Sequence, residues 1–192
     1  MKNPFVLLLC LALNCVAFAQ AYTLRVYHLS ELESANPDSV FSISLAREKL
    51  TEVPAIIARF THVKVLDLGK NKLTELPSFI GDLKFIEILD LSKNELAIFP
   101  NEICRLSNLT TLIINRNTFD RIPECFGYCT KLEMIDLWEV PIAYFPQSMD
   151  QLKSLKFIEI QGVKYGPTFQ EALRKRLPWV EIHFDAPCDC ME

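Results

Sequence analysis

The chain is poor in the residues that catalysis most often uses. Its 192 positions hold three histidines and five glycines. His28, His62 and His183 are spread from one end to the other, so a nucleophile, base and orienting group cannot be assembled around them at one point. No Gly-rich phosphate loop occurs, and neither His-Glu-x-x-His nor Gly-x-Ser-x-Gly is present. Basic runs are missing too. Lys and Arg total 20 against 24 Asp and Glu, and this net acidity argues against nucleic acid as a partner. No enzyme is expected, no catalytic residue is assigned, and no cofactor or metal is required.

Long apolar runs are confined to the amino terminus. Lys2 is followed by an apolar stretch from Pro4 to Phe18, and Ala17-Phe18-Ala19 forms a small-x-small site. This pattern predicts a secretory signal over residues 1–19, cleaved between Ala19 and Gln20. The alternative is a retained membrane anchor, against which the short apolar part and the interrupting Asn14 both count. Asn14 before Cys15 also argues against lipid attachment there. Removing the leader takes Lys2 and leaves a formal charge of −5. The expected location is secreted or periplasmic, with a membrane-held form only if the leader stays.

What the chain has in abundance is a period. Pro54, Pro77, Pro100, Pro123 and Pro146 stand 23 residues apart, and a fixed interval of that length marks a solenoid. Val63, Leu66, Leu68 and Leu73 recur as Ile86, Leu89, Leu91 and Leu96, and the ladder extends back to Val40 and on to Tyr165. A stretch such as Leu89-Asp90-Leu91-Ser92 alternates apolar and polar, predicting a short half-buried strand in a parallel sheet. Asn71, Asn94 and Asn117 follow three central strands, and as buried amides they must be satisfied, which predicts a hydrogen-bonded ladder between turns. Glu48, Val140 and Val163 interrupt that series, predicting irregular turns at both ends. Each proline is expected at the first position of a short helix, with pairs such as Ile80 and Leu83, or Met149 and Leu152, burying one face.

Segments such as Leu66-Asp67-Leu68-Gly69-Lys70-Asn71-Lys72-Leu73-Thr74-Glu75-Leu76-Pro77 resemble the leucine-rich repeat family, in its 23-residue type similar to Ras-suppressor and plant Ras-group repeats. The resemblance covers about 40–165 and implies an α/β horseshoe, with a parallel sheet on the concave face and short helices or 3-10 turns on the convex one. It implies a binding scaffold rather than any particular ligand.

The flanks supply caps. Residues 20–39 predict an extended piece at Leu24, Val26 and Tyr27, then a helix N-capped by Ser30 and running from Glu31 to Ala35. Residues 166–184 predict a helix opened by Pro167 and stopped by Pro178, then an edge strand through Val180, Ile182 and Phe184; residues 185–192 are read as a disordered tail. Five cysteines lie beyond the leader. Cys129 takes a leucine position and reads as core. Cys104 and Cys125 lie on successive helices, but their offset within the repeat argues against the reach. Cys188 and Cys190 offer only two metal ligands.

Columns read across the repeats place a candidate surface. Ile88, Ile113, Met134, Trp138 and Phe157 form an apolar group beside Asp90, Asp136 and Glu159, and an apolar area on a solvent-facing sheet marks an interaction site. Against this, aspartate between strand leucines is common in such repeats, and Trp138 has local packing against Val140-Pro141 as its alternative role. The rim column Arg47, Lys70, Lys93 and Arg116 reads as a solvated edge. The expectation is an exported, noncatalytic scaffold, a monomer, binding an unidentified protein or peptide through its concave face. The alternatives are a membrane- or envelope-associated structural repeat protein, or an intracellular adaptor if the leader does not function.

Overall fold

In the computed structural model, which describes residues 24–186, eight short parallel strands follow one another in a single open sheet. They are β1 (Val26–Tyr27), β2 (Ser42–Ser44), β3 (Val65–Asp67), β4 (Ile88–Asp90), β5 (Thr111–Ile113), β6 (Met134–Asp136), β7 (Phe157–Glu159) and β8 (Glu181–His183). From β2 to β7 the register advances by one repeat, so Val65 faces Ile88, Ile88 faces Thr111 and Met134 faces Phe157. The middle residue of each strand from β2 to β7, Ile43, Leu66, Leu89, Leu112, Ile135 and Ile158, is fully buried on the far side of the sheet. Successive strand residues point to opposite faces, so this alternation leaves the first and last residue of each strand for the inward face.

The opposite wall consists of 3-10 turns at Ala55–Arg59, Ser78–Asp82, Asn101–Arg105, Glu124–Tyr128 and Gln147–Gln151. The five periodic prolines stand one place earlier than predicted, as the residue just before each turn, with φ between −75 and −58°. There the carbonyl does the work: each proline C=O accepts the first turn hydrogen bond, at 3.0–3.2 Å. The ring fixes φ, and the absent N–H removes a donor that no turn would use. Ile80 and Leu83, Ile103 and Leu106, and Met149 and Leu152 are buried as expected.

The asparagine ladder runs through three turns. Asn94 Nδ2 donates to the Leu91 carbonyl at 3.0 Å and, one repeat back, to the Leu68 carbonyl at 3.1 Å; its Oδ1 accepts from the Leu73 N–H at 3.0 Å. Asn71 and Asn117 repeat the arrangement. Val140, at the next ladder position, is buried without an amide, and its carbonyl accepts instead from the Tyr165 hydroxyl at 3.2 Å. The residue ahead of each ladder position keeps a positive φ throughout: Arg47, Lys70, Lys93, Arg116, Glu139 and Gly162. The turn conformation therefore persists where the asparagine does not; only the first turn carries a second positive φ, at Lys49.

Cys104 and Cys125 are joined by a disulfide with their Cα atoms 5.5 Å apart, which corrects the expectation that their offset prevents the reach. Adjacent 3-10 turns pack side by side, so a cysteine near the end of one turn meets a cysteine at the start of the next. Among the described residues Cys129 is the free thiol; it is buried, and burial pushes its pKa up to about 12.

Both caps form. The helix α1 (Leu29–Leu32) is capped by His28 rather than Ser30, because the Glu31 carboxylate folds back to accept from the His28 N–H at 2.9 Å. The helix α2 (Pro167–Arg176) leads into β8. Arg176 pins α2 to the last repeat through the Phe145 carbonyl at 2.9 Å, the Pro146 carbonyl and the Asp150 carboxylate at 2.7 Å. Asp185, read from sequence as tail, accepts from the Gly162 N–H at 2.7 Å. The predicted leader and the Cys188-Asp189-Cys190 stretch lie outside the described residues.

Candidate binding face

The inward face presents the columns expected from the period, but their exposure differs from one end to the other. Ile88 and Ile113 are half-buried with open area, as is Val65 beside Ile88. Met134 and Phe157 are 1% and 5% exposed. Their burial corrects the reading of an open apolar stripe at this end. The Phe157 ring meets His183 edge-on at 4.5 Å, and Met134 stands in register between Thr111 and Phe157, so large side chains in neighbouring strands close over one another. The open apolar area therefore sits at the middle of the sheet.

Trp138 is half-buried, and the Arg116 guanidinium lies 4.1 Å from its ring centroid, stacked from the preceding repeat. Arg116 in turn holds Glu139 at 2.7 Å. The indole thus takes part in a cation–aromatic contact between repeats while keeping part of its surface open.

The acidic residues do structural duty as well. Asp67, Asp90 and Asp136 each accept from the backbone N–H two residues on, in Gly69, Ser92 and Trp138, at 2.9, 2.7 and 2.9 Å; Glu159 does the same with Gln161 at 3.1 Å. The second oxygen of Asp67 takes the Ser44 hydroxyl at 2.9 Å and that of Asp136 the Asn115 amide at 2.6 Å. These bonds close the strand ends. Gly69 makes the crowding possible, since a Cβ there would stand 2.9 Å from Ser92 Oγ and 3.1 Å from Asp90 Oδ1.

Packing several carboxyls on one sheet perturbs them. Burial first, then the neighbouring Asp67 charge, pushes the Asp90 carboxyl up to about 6. Burial also raises Asp136 above its ordinary range, against the pull of the Trp138 N–H and the Asn115 amide. Burial raises Glu159, opposed by the Gln161 N–H and by His183 at 3.6 Å. Such groups offer a ligand acceptors and protonatable oxygens. Among the described residues no group of three or more His, Cys, Asp or Glu is placed to hold a metal ion.

One contact has no counterpart in the sequence columns. The Glu124 carboxylate accepts from the Gln147 and Ser148 N–H groups of the next turn at 3.2 and 3.0 Å, and those bonds hold its pKa below the usual range. Equivalent positions in the other repeats carry Ala55, Ser78, Asn101 and Gln147, so no column signals it.

The leucine-rich repeat region family matches residues 20–179. No curated protein sequence matches the chain. Among solved structures, a leucine-rich repeat protein of Leptospira interrogans is similar, with a TM-score of 0.65 at 25% identity, over 85% of this chain and 49% of that one. The plant peptide hormone receptor RGFR1 in complex with RGF2 is similar over 62% of this chain and 19% of the receptor, with a TM-score of 0.53 at 30% identity. The chain thus spans about half the length of the first and a fifth of the second. With the family matched across residues 20–179 and an eight-stranded parallel sheet in which strands β2 to β7 recur every 23 residues, the chain belongs to the leucine-rich repeat family.

Proposed function

We propose that the protein is a noncatalytic scaffold that binds a protein or peptide through the inward face of its sheet. One observation carries this reading. A continuous parallel sheet holds Val65, Ile88 and Ile113 part-open beside the carboxyls of Asp67, Asp90 and Asp136. Strands already fixed by their neighbours lose little freedom on association, which favours binding. The plant peptide hormone receptor RGFR1, solved in complex with RGF2, supports a binding role for this architecture.

Selection from a random 12-residue peptide library on the immobilised protein tests it. The selected peptides are expected to lose binding to Ile113→Glu on the sheet and to retain it with Ile98→Glu, whose side chain is exposed outside the sheet. Peptides sensitive only to Ile98→Glu would overturn the assignment of the face.

The proposal includes export. The Cys104–Cys125 bridge supports it, because such bonds persist in oxidising compartments. Unreduced intact mass from soluble and membrane fractions is the check: a soluble species beginning at Gln20 is expected, and a membrane species retaining Met1 would favour the anchored scaffold instead.

A further inference from the structure

Charges on this solenoid pair from one repeat to the next. Lys64 meets Glu87 at 2.8 Å, Lys156 meets Glu133 at 2.7 Å, Arg116 meets Glu139 at 2.7 Å and Arg105 meets Asp82, each pair 23 residues apart in sequence. The rim column breaks the habit. Arg47, Lys70, Lys93 and Arg116 follow one another across four repeats, like charge over like charge. Among the described residues Arg47, Lys70 and Lys93 have no ion pair, and Glu139 engages only the last of the row. Slight desolvation, and then the charges of Arg116, Lys70 and Arg47, hold the exposed Lys93 ammonium below its ordinary range, against the pull of Glu139.

The acidic column also stacks like charges, but its carboxylates are committed to backbone N–H groups. Arg47, Lys70 and Lys93 have no such task, whereas Arg116 is held by Glu139 and the Trp138 ring. All four occupy the left-handed turn position, with φ of 67, 59, 54 and 53°, where a residue with a Cβ is strained. Gly162 takes the same place in the sixth repeat at φ 86°, so the turn itself accepts glycine. Four cations therefore stand where folding would favour a glycine, and repel one another there.

We propose that Arg47, Lys70, Lys93 and Arg116 form a cationic rail that binds an acidic segment of a partner protein laid across the strands. This rests on the scaffold reading of the same face and names the partner's chemistry. At about 4.8 Å per strand the rail spans roughly 14 Å, and an extended chain places same-side residues about 6.8 Å apart, so two or three acidic side chains fall within its length. The partner's apolar side chains would turn the other way, onto Val65, Ile88 and Ile113. A uniform polyanion fits less well, because Asp67, Asp90 and Asp136 flank the rail and the chain as a whole is acidic.

Fluorescence anisotropy of the whole protein tests it, with a labelled 16-residue peptide of four Glu-Leu-Glu-Ser repeats, its Gln-Leu-Gln-Ser counterpart, and heparin as a competitor. The glutamate peptide is expected to bind more tightly than the glutamine one, and more weakly as salt rises. Lys70→Gly with Lys93→Gly removes charge while relieving the turns, so the double variant is expected to melt no lower than the parent yet lose about tenfold in affinity. Unchanged affinity in that variant, or equal binding of both peptides, overturns the rail. If Ile113→Glu still abolishes binding in that case, the face reading survives without it; if Ile113→Glu has no effect either, both fail. Heparin bound more tightly than the glutamate peptide, and released in the same variant, would overturn the peptide assignment in favour of general polyanions.

Discussion

From Leu45 to Asn117 each turn is tied to its neighbour by an amide that makes three hydrogen bonds, whereas from Val140 onward the same backbone turn recurs with an apolar side chain in that place. The two regions reach one geometry by different physics. In the centre, polar groups satisfy buried backbone N–H and C=O groups directly. Toward the carboxyl end, bulk replaces them: Tyr165 stacks on Phe169 at 4.6 Å, Phe169 meets Phe145 at 6.3 Å and Phe184 at 6.4 Å, and Arg176 locks α2 onto the last turn. The turn's shape is thus a property of the stacked sheet, and the asparagine is one way of holding it.

Breaking the ladder should cost most. Asn94→Ala strands three buried backbone groups and is expected to lose about 3 kcal/mol or more in urea unfolding, against about 1–2 kcal/mol for Val140→Ala, which removes only methyl groups. A Val140→Ala cost equal to that of Asn94→Ala would erase the distinction. Next comes the staple between the two regions. Cys104→Ser with Cys125→Ser opens a link with a sequence separation of 21 and should cost about 2–3 kcal/mol, read as a fall in melting temperature relative to the oxidised parent that vanishes when both proteins are reduced. Tyr165→Phe keeps the aromatic stack but removes the hydroxyl from the Val140 carbonyl, for about 1 kcal/mol.

The smallest effect has the opposite sign at neutral pH. Burial lifts the Asp90 carboxyl from 3.8 unfolded to about 6 folded, so its contribution is fully present below about pH 4 and is lost as pH rises through 6. Asp90→Asn keeps an acceptor for the Ser92 N–H and carries no charge. It is therefore expected to gain roughly 1 kcal/mol at pH 7, and to show no gain at pH 4, in melting curves taken across that range. A pH-independent difference would place the Asp90 carboxyl at its ordinary value.

Much of this fold was legible in the sequence because a 23-residue period converts directly into stacked positions: the strands, the ladder asparagines and the buried apolar columns all follow from it. The prolines were legible as punctuation but fell one residue off, since the 3-10 turn uses their carbonyl rather than their fixed φ at a first helical position. What stayed hidden depends on distances between columns. Met134 and Phe157 share a column with the open Ile88, and only side-chain size against neighbouring strands closes one pair and leaves the other part-open. Cys104 and Cys125 belong to different columns, as do Glu124 and Ser148, and diagonal contacts of this kind leave no periodic trace. Trp138 was narrowed to two roles, and its contact with Arg116 is a third.

The bridge between Cys104 and Cys125 also sets how the molecule would respond to being pulled. A solenoid under tension gives way unit by unit, each adding its extended length to the tether. With the bridge closed, the chain between the two sulfurs, a separation of 21 residues, is withheld from that extension, some 70 Å of contour at full stretch. A reductant would release it in one step, making the oxidised protein the shorter and stiffer tether of the two.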